Sequence, residues 1–332
     1  MRRFLPFILW LGIAYSAWLV VVVLGHHWNT MIDHWPIAAA MVFGSFFAGS
    51  TPVGGGAVGY SALVLLMDEP ARLGRAFAFS IQAVGMTSAT IYAICAGRRL
   101  AWRPLRWAML GSLIATPIGV GLIAPRLTDQ LVSLVFAGAW ASFGALVLTR
   151  IRTLASQHDI AQALARVERL GGFLAGLIAG LTVAGITGAG ADMLMFLMLV
   201  LLLRADLRIA IPTGVAAMGF TSIIGIAATL VLQRLNPAAH PLPEGLLANW
   251  ITTVPIVLVG APLGALVLRL VPRVVMLLVV ASLAMLQLVW ALVDQRVGPA
   301  AAGAVLLGVG SAFVLFVLLA RLAPAQAAPV TR

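Results

Sequence analysis

The chain has 332 residues, of which 62% are hydrophobic and 9% are charged, and its mean hydropathy is +1.08. A soluble domain carries about 25% charged residues, so this composition excludes a water-soluble globular protein and predicts a multi-pass membrane protein. The formal net charge of +11 comes from 21 basic residues, all arginine. They lie in short connectors between apolar runs, which argues against a nucleic-acid-binding protein with one basic face.

The first apolar run, from Phe4 to Gly25, follows two arginines and has the outline of a secretory signal sequence. It is longer than the ~7–15 apolar residues of such signals, and no clean cleavage motif follows it. We therefore predict a retained transmembrane helix within residues 1–30.

Two later apolar segments, 36–67 and 171–203, are too long for one straight crossing. At 1.5 Å per residue, ~32 helical residues would measure ~48 Å, whereas the hydrocarbon core is ~30 Å thick. Pro52 and the glycines at 54–56 interrupt the first segment, and three glycines within 185–190 interrupt the second. Such residues disfavour a continuous α-helix, so we predict that each segment is a broken or re-entrant hairpin.

The two hairpin segments open two halves that share three motifs in the same order. The motifs are Arg75 and Arg208, 133 residues apart, Gly-x-Thr-Ser at 85–88 and 219–222, 134 apart, and Pro-x-Gly at 117–119 and 262–264, 145 apart. Because the spacing drifts only in connecting segments, the sequence indicates an internal duplication. Duplicated halves that each open with an interrupted apolar segment are typical of secondary transporters.

We predict an all-α polytopic membrane fold built from two such repeats with flanking helices. The predicted order is an N-terminal transmembrane helix over 1–30, a first repeat over 36–149, an amphipathic cytoplasmic linker over 150–170, a second repeat over 171–294 and a C-terminal transmembrane helix over 299–320.

The arginines favour one topology. If the N-terminus is cytoplasmic and each hairpin returns to the side from which it came, 16 arginines lie inside and 5 outside. Single crossings would give 11 and 10, so the positive-inside rule favours hairpins. The first repeat then begins outside and the second inside, which predicts repeats inverted about an axis in the membrane plane.

The two breaks form the predicted substrate site. Backbone N–H and C=O groups without helical partners are tolerated at bilayer depth only where they are buried in protein or line a water-filled cavity. The N-termini of the helices after the breaks can bind an anion. Hydroxyl and amide side chains one helix later add ligands, although close glycine packing and hydroxyls bonded to their own helix are the structural alternatives. The candidate binding residues are Ser50, Thr51, Gly54, Gly55, Gly56, Gln82, Thr87, Ser88, Thr187, Gly188, Gly190, Thr221 and Ser222.

Asp192 is the only carboxylate well inside an apolar span, two residues after Gly190. A charged group at bilayer depth is costly and points to function, so Asp192 is the candidate for proton coupling. The alternative is that it caps the half-helix that follows. The single cysteine, Cys95, excludes a cysteine metal cluster, and neither a metal nor another cofactor is expected.

Four features together resemble the TauE/SafE sulfite exporter family over about 36–294. They are the glycine-rich break, the stretch that begins at Arg75 or Arg208, the Gly-x-Thr-Ser helix and the Pro-x-Gly helix. The resemblance implies a carrier of the bacterial inner membrane that moves sulfite, a sulfonate or a similar sulfur anion, bound between the two breaks. Pro52 and the acidic pair Asp68-Glu69 depart from the usual pattern and leave the anion open.

Two other functional classes were weighed. An intramembrane enzyme is not expected, because the sequence has no nucleophile elbow, no His-Glu-x-x-His motif and no histidine in the middle of a span. A membrane scaffold or assembly protein without transport activity is the alternative, and the paired breaks argue against it. The expected partners are a small anion, the lipid bilayer and protons if transport is coupled, with no nucleic acid; oligomeric state and transport direction stay open.

Overall fold

The computed structural model describes residues 2–155, 165–267 and 270–294, and within these ranges the chain forms helices and turns without a β-strand. An N-terminal pair precedes the two halves: α1 (Leu5–Leu24) and α2 (Trp28–Asp33). The first half contains α3 (Trp35–Ser50), α4 (Gly54–Tyr60), α5 (Ala71–Cys95), α6 (Trp102–Ile118) and α7 (Asp129–Ala155). The second contains α8 (Ala165–Leu181), α9 (Val183–Thr187), α10 (Ala191–Leu197), α11 (Leu207–Leu235), α12 (Leu246–Val267) and α13 (Arg273–Asp294).

Three π-helical turns extend these helices, over Ser61–Leu66 after α4, Gly119–Ile123 after α6 and Met198–Leu202 after α10. The predicted C-terminal helix over 299–320 lies outside the described residues, as do residues 156–164 of the predicted linker.

Seven described helical stretches are long and apolar enough to cross a membrane. They are Arg2–Leu24, Ala71–Cys95, Trp102–Arg126, Asp129–Arg152, Ala165–Thr187, Leu207–Leu235 and Leu246–Val267. The prediction of an all-α polytopic membrane protein is therefore confirmed. The first stretch is peripheral, because 6% of its apolar window is buried in the protein against 44% or more in the other six. The hydroxyl of Tyr15 and the indole of Trp18 tie it to backbone carbonyls of α12.

The first long segment folds back on itself at its break, with α3 and α4 packed as antiparallel arms. A Cβ atom added at Gly55 would lie 3.0 Å from Cβ of Ala48, and one added at Gly44 would lie 2.9 Å from Cβ of Val58. Positions further from the break on one arm therefore face positions further from it on the other. We call α3 with α4 and its π turn the first hairpin.

The second long segment folds back in the same way. An added Cβ at Gly190 would lie 2.7 Å from Val183, close to the break, and one at Gly171 would lie 2.7 Å from Met198, far from it. The break itself contains Gly188 with φ 82° and Gly190 with φ 107°. Residues with a Cβ rarely adopt such angles, so the turn depends on glycine. We call α8, α9 and α10 with its π turn the second hairpin.

Helices that the predicted repeats would pair, α5 with α11 and α7 with α13, pack against one another. Helices α5 and α11 run antiparallel, since Gly219 faces Met86 while Gly225, further along α11, faces Phe79, nearer the start of α5. Helices α7 and α13 pack together where Gly144 approaches Ala284.

Helices α6 and α12, which carry the Pro-x-Gly motifs, each pack on the hairpin of the other half. Along α6 and α8, a Cβ at Gly172 would collide with the carbonyl of Pro104, and one at Gly176 with the carbonyl of Ala108. Along α3 and α12, a Cβ at Gly264 would collide with the carbonyl of Phe46. Helix backbones approach this closely only through small residues, so these glycines allow the two halves to pack closely against each other.

Candidate functional site

The two breaks meet beside the middle of α5. A Cβ added at Gly54 would lie 2.5 Å from Oδ2 of Asp192 and 3.0 Å from Oε1 of Gln82. Nε2 of Gln82 donates hydrogen bonds to the carbonyls of Gly188, at 2.8 Å, and Ala78, at 3.0 Å. The structure therefore brings together predicted site residues from both hairpins and from the helix between them.

Among the described residues, two buried oxygen atoms at this meeting point have no hydrogen-bond partner, Oε1 of Gln82 and Oδ2 of Asp192. Asp192 is fully buried and Gln82 is 2% exposed. The other carboxylate oxygen, Oδ1, accepts a hydrogen bond of 3.0 Å from the N–H of Met193. An unpartnered buried acceptor costs about 1–3 kcal/mol, so this pair of oxygens marks a place where a proton or another donor is needed.

At the first break, the predicted hydroxyl ligands bond to their own helix. Ser50 donates a 3.0 Å hydrogen bond to the carbonyl of Phe46, and Thr51 donates one of 2.8 Å to the carbonyl of Phe47. The Thr51 hydroxyl also accepts from the N–H of Val53 at 3.3 Å. Both hydroxyls thus cap the end of α3 where it can no longer continue.

Thr187 plays a similar part at the second break. Its hydroxyl donates to the carbonyl of Val183 at 2.7 Å and lies 3.4 Å from the N–H of Ala189, which donates to it. Gly55, Gly56 and Gly188 are buried, and an added Cβ at Gly56 would collide with the amide of Gln82. The glycines at the breaks therefore bring the backbone against the central glutamine.

In each Thr-Ser pair, one residue contacts a helix of the opposite half, which is α12 for Ser88 and α6 for Thr221. Ser88 donates a 2.7 Å hydrogen bond to the carbonyl of Leu258 in α12, and Thr221 shares one of 2.7 Å with Ser112 in α6. Ser222 is fully buried, and its hydroxyl has no hydrogen-bond partner in the part of the chain that the structure describes. Thr87 is partly exposed. Two of the four hydroxyls, those of Ser88 and Thr221, thus join helices. The sequence could not reveal the contact of Thr221, because its partner Ser112 lies outside the repeated motifs.

The space at the breaks is small in this conformation. A cavity of about 10 Å³ lies between the first hairpin, α5 and α12, beside Gly55 and Gln82. One water molecule needs ~10–15 Å³. This cavity therefore has room for about one water molecule in this conformation.

A larger cavity, of about 250 Å³, lies at the end of the bundle where α5 begins and α6 ends. Its lining includes Arg72, Arg75, Asp129, Thr229 and His240. Arg75 is a repeat marker in the sequence, and its spacing did not predict this cavity. The available signal was an arginine near the start of a transmembrane helix, at the fifth residue of α5.

Comparison with protein families decides what kind of protein carries this geometry. The chain matches the family described as sulfite exporter TauE/SafE over residues 37–291, which is most of its length. The chain belongs to the TauE/SafE family. No curated protein and no solved structure matches it. Because the family consists of membrane transporters, this TauE/SafE protein is a multi-pass membrane transporter and not an enzyme.

Proposed function

We propose that this TauE/SafE protein carries a small sulfur-containing anion, such as sulfite or a sulfonate, across the bacterial inner membrane. The substrate would bind where the two hairpins meet. The observation that carries the proposal is that Gln82, on the helix between the hairpins, bonds to Gly188 of the second and lies against Gly54 of the first. A transporter site at the junction of two broken helices can change shape when either hairpin moves.

The backbone at the breaks supports an anionic substrate. Half-helices over Gly54–Leu66 and Ala191–Leu202 begin at the two breaks, and the first N–H groups of a helix carry about half a positive charge. Such ends bind anions without a cationic side chain. The donors for an anion would therefore come from the backbone N–H groups at the two breaks, since both amide hydrogens of Gln82 are donated to the carbonyls of Ala78 and Gly188.

Two observations support inverted repeats and a cytoplasmic N-terminus. The equivalent helices α5 and α11 run antiparallel where Gly219 faces Met86. An axis that relates two antiparallel membrane helices lies in the membrane plane, as in many secondary transporters. The arginine distribution of 16 to 5 then orients the chain.

We further propose that Asp192 carries a proton during the cycle. A protonated Asp192 can donate a hydrogen bond to a nearby acceptor, and Oε1 of Gln82 is an unpartnered acceptor beside the same Gly54 position. An ionised Asp192 would instead face that acceptor and repel an anionic substrate. Anion efflux from a cell with a negative interior is electrically downhill by about 2.3 kcal/mol per charge per 100 mV, so the proton serves concentrative uptake.

The test of transport is flux into proteoliposomes that contain the purified full chain. Radiolabelled sulfite, thiosulfate and methanesulfonate would each be offered, with protein-free liposomes as the control. We expect saturable uptake of at least one of the three anions that exceeds the leak of the control. Flux equal to the leak for all three anions would contradict the proposal and would favour a membrane scaffold.

A further inference from the structure

The 250 Å³ cavity has the size of a site for a small ion. It is lined by the start of α5, the turns that follow α6, the start of α7, the end of α11 and the segment after α11 that contains His240. A single water needs ~10–15 Å³, and sites for drug-sized ligands measure ~300–1,000 Å³. The cavity therefore admits a small ion with part of its hydration shell and is too small for a large organic ligand.

The charges that line the cavity favour an anion. Arg72 and Arg75 contribute two guanidinium groups, Asp129 contributes one carboxylate, and His240 adds a ring that can donate a hydrogen bond. Arg75 is partly buried. Within the described residues, its side chain has electrostatic interactions with Tyr60 and Asp129 and forms no hydrogen bond or ion pair. A guanidinium so placed can bind both oxygens of an oxyanion.

The same arginine adjoins the second break. A Cβ added at Gly188 would collide with the carbonyl of Arg75 and would lie 3.0 Å from Cβ of Ala78. Two turns further along α5, Gln82 bonds to the carbonyl of Gly188. The cavity and the meeting point of the hairpins therefore share one stretch of α5, with Gly188 packed between them.

The position that the repeat pairs with Arg75 lies at the opposite end of the bundle, because α5 and α11 run antiparallel. The repeat partner of Arg75 is Arg208, which is exposed. Near it, a cavity of only about 10 Å³ lies among Gly49, Pro212 and Ala265. Arg98 lines this small cavity and donates a 3.0 Å hydrogen bond to the carbonyl of Ala265. The two arginines therefore differ in their surroundings, since Arg75 lines the 250 Å³ cavity and Arg208 is exposed.

We propose that the 250 Å³ cavity is an anion-binding antechamber, in which Arg75, with Arg72 beside it, binds a small sulfur oxyanion before the anion reaches the second break. The inference rests on the proposed function, since it places the same class of substrate one step earlier on its path.

The experiment measures binding and transport separately. Equilibrium binding of radiolabelled sulfite and thiosulfate to the detergent-purified full chain gives Kd, and proteoliposome flux gives KM. Arg75→Gln should raise both by about tenfold or more, because a charge-assisted pair of hydrogen bonds is lost. Arg208→Gln, the matched change at the repeat-equivalent position, should leave both within about twofold of the wild type.

Arg75→Lys keeps the charge but not the planar pair of donors, so a Kd between those of the wild type and Arg75→Gln is expected. A folded Arg75→Gln protein whose Kd equals that of the wild type would overturn the antechamber. If Arg75→Gln does not fold, an unchanged Kd in Arg75→Lys would overturn it equally. Anion binding that depends on Arg75 without flux in the wild type would instead contradict the proposed transport and leave the antechamber standing.

Discussion

Nε2 of Gln82 donates a hydrogen bond of 2.8 Å to the carbonyl oxygen of Gly188, and this bond joins the middle of α5 to the break in the second hairpin. Gln82 lies in the first half of the chain and Gly188 in the second. The amide therefore connects the two halves at the point where both hairpins change direction. A change in that bond is the most direct test of whether the junction matters for transport.

We predict that Gln82→Leu abolishes flux and lowers stability by about 1–3 kcal/mol, because the carbonyl of Gly188 loses a buried donor. The measurements are proteoliposome flux and the melting temperature of the purified protein. Gln287→Leu is the matched control, since Gln287 donates a 3.0 Å hydrogen bond to Ser61 away from the breaks. The control should retain flux. Equal flux in both variants would remove Gln82 from the transport path.

The second prediction concerns the backbone of the second break. Gly188 has φ 82°, and an added Cβ would collide with the carbonyl of Arg75. Gly188→Val should therefore abolish transport and cost about 1–3 kcal/mol of stability, since a β-branched residue is strained at this φ. Membrane insertion should persist, as judged by the amount of protein in the membrane fraction.

Gly12→Val is the control for that change, because an added Cβ at Gly12 would meet no atom within 4 Å. The control should transport like the wild type. Normal flux in Gly188→Val would show that the second break lies outside the path, and loss of flux in both would indicate a general effect of the added bulk.

The breaks were predictable because glycine and proline act locally. Pro52 and the glycine at 54 disfavour a helix whatever surrounds them, and the first hairpin turns at this place. The direction of a side chain across a bundle is not a local property. Ser88 bonds to α12 and Thr221 to α6, and neither partner could be read from spacing along the chain.

The cavity around Arg75 could not be predicted from the sequence either. It forms because the start of α5, the connection between α6 and α7, and the end of α11 with the segment after it come together. The repeat motif predicts that Arg75 and Arg208 are equivalent, but Arg75 lines a cavity and Arg208 is exposed. A sequence motif does not determine the different surroundings of two such residues.

The third prediction tests the topology. In a Cys95→Ala background, a cysteine at the exposed position Arg99 should not react with a membrane-impermeant thiol reagent in intact cells. A cysteine at the exposed position Asn29, in the short helix α2 after α1, should react. The inside excess of arginine gives this orientation. Labelling at position 99 from outside, with no labelling at 29, would reverse the proposed orientation of the chain.

The last prediction concerns energy coupling through Asp192. Asp192→Asn keeps the size of the side chain and can still bond to Gln82, but it cannot gain or lose a proton. If Asp192 carries the proton, the variant should retain exchange of labelled for unlabelled anion across the liposome membrane, since exchange needs no net proton movement. Net uptake can be driven by a pH gradient that is acidic on the side from which the anion is taken up. In the variant, this uptake should fall to the rate seen without the gradient. The measurement compares both rates in wild type and variant at two external pH values. A variant whose net uptake still responds to the gradient would leave Asp192 as a cap of the half-helix at Ala191 and would assign the proton to another route.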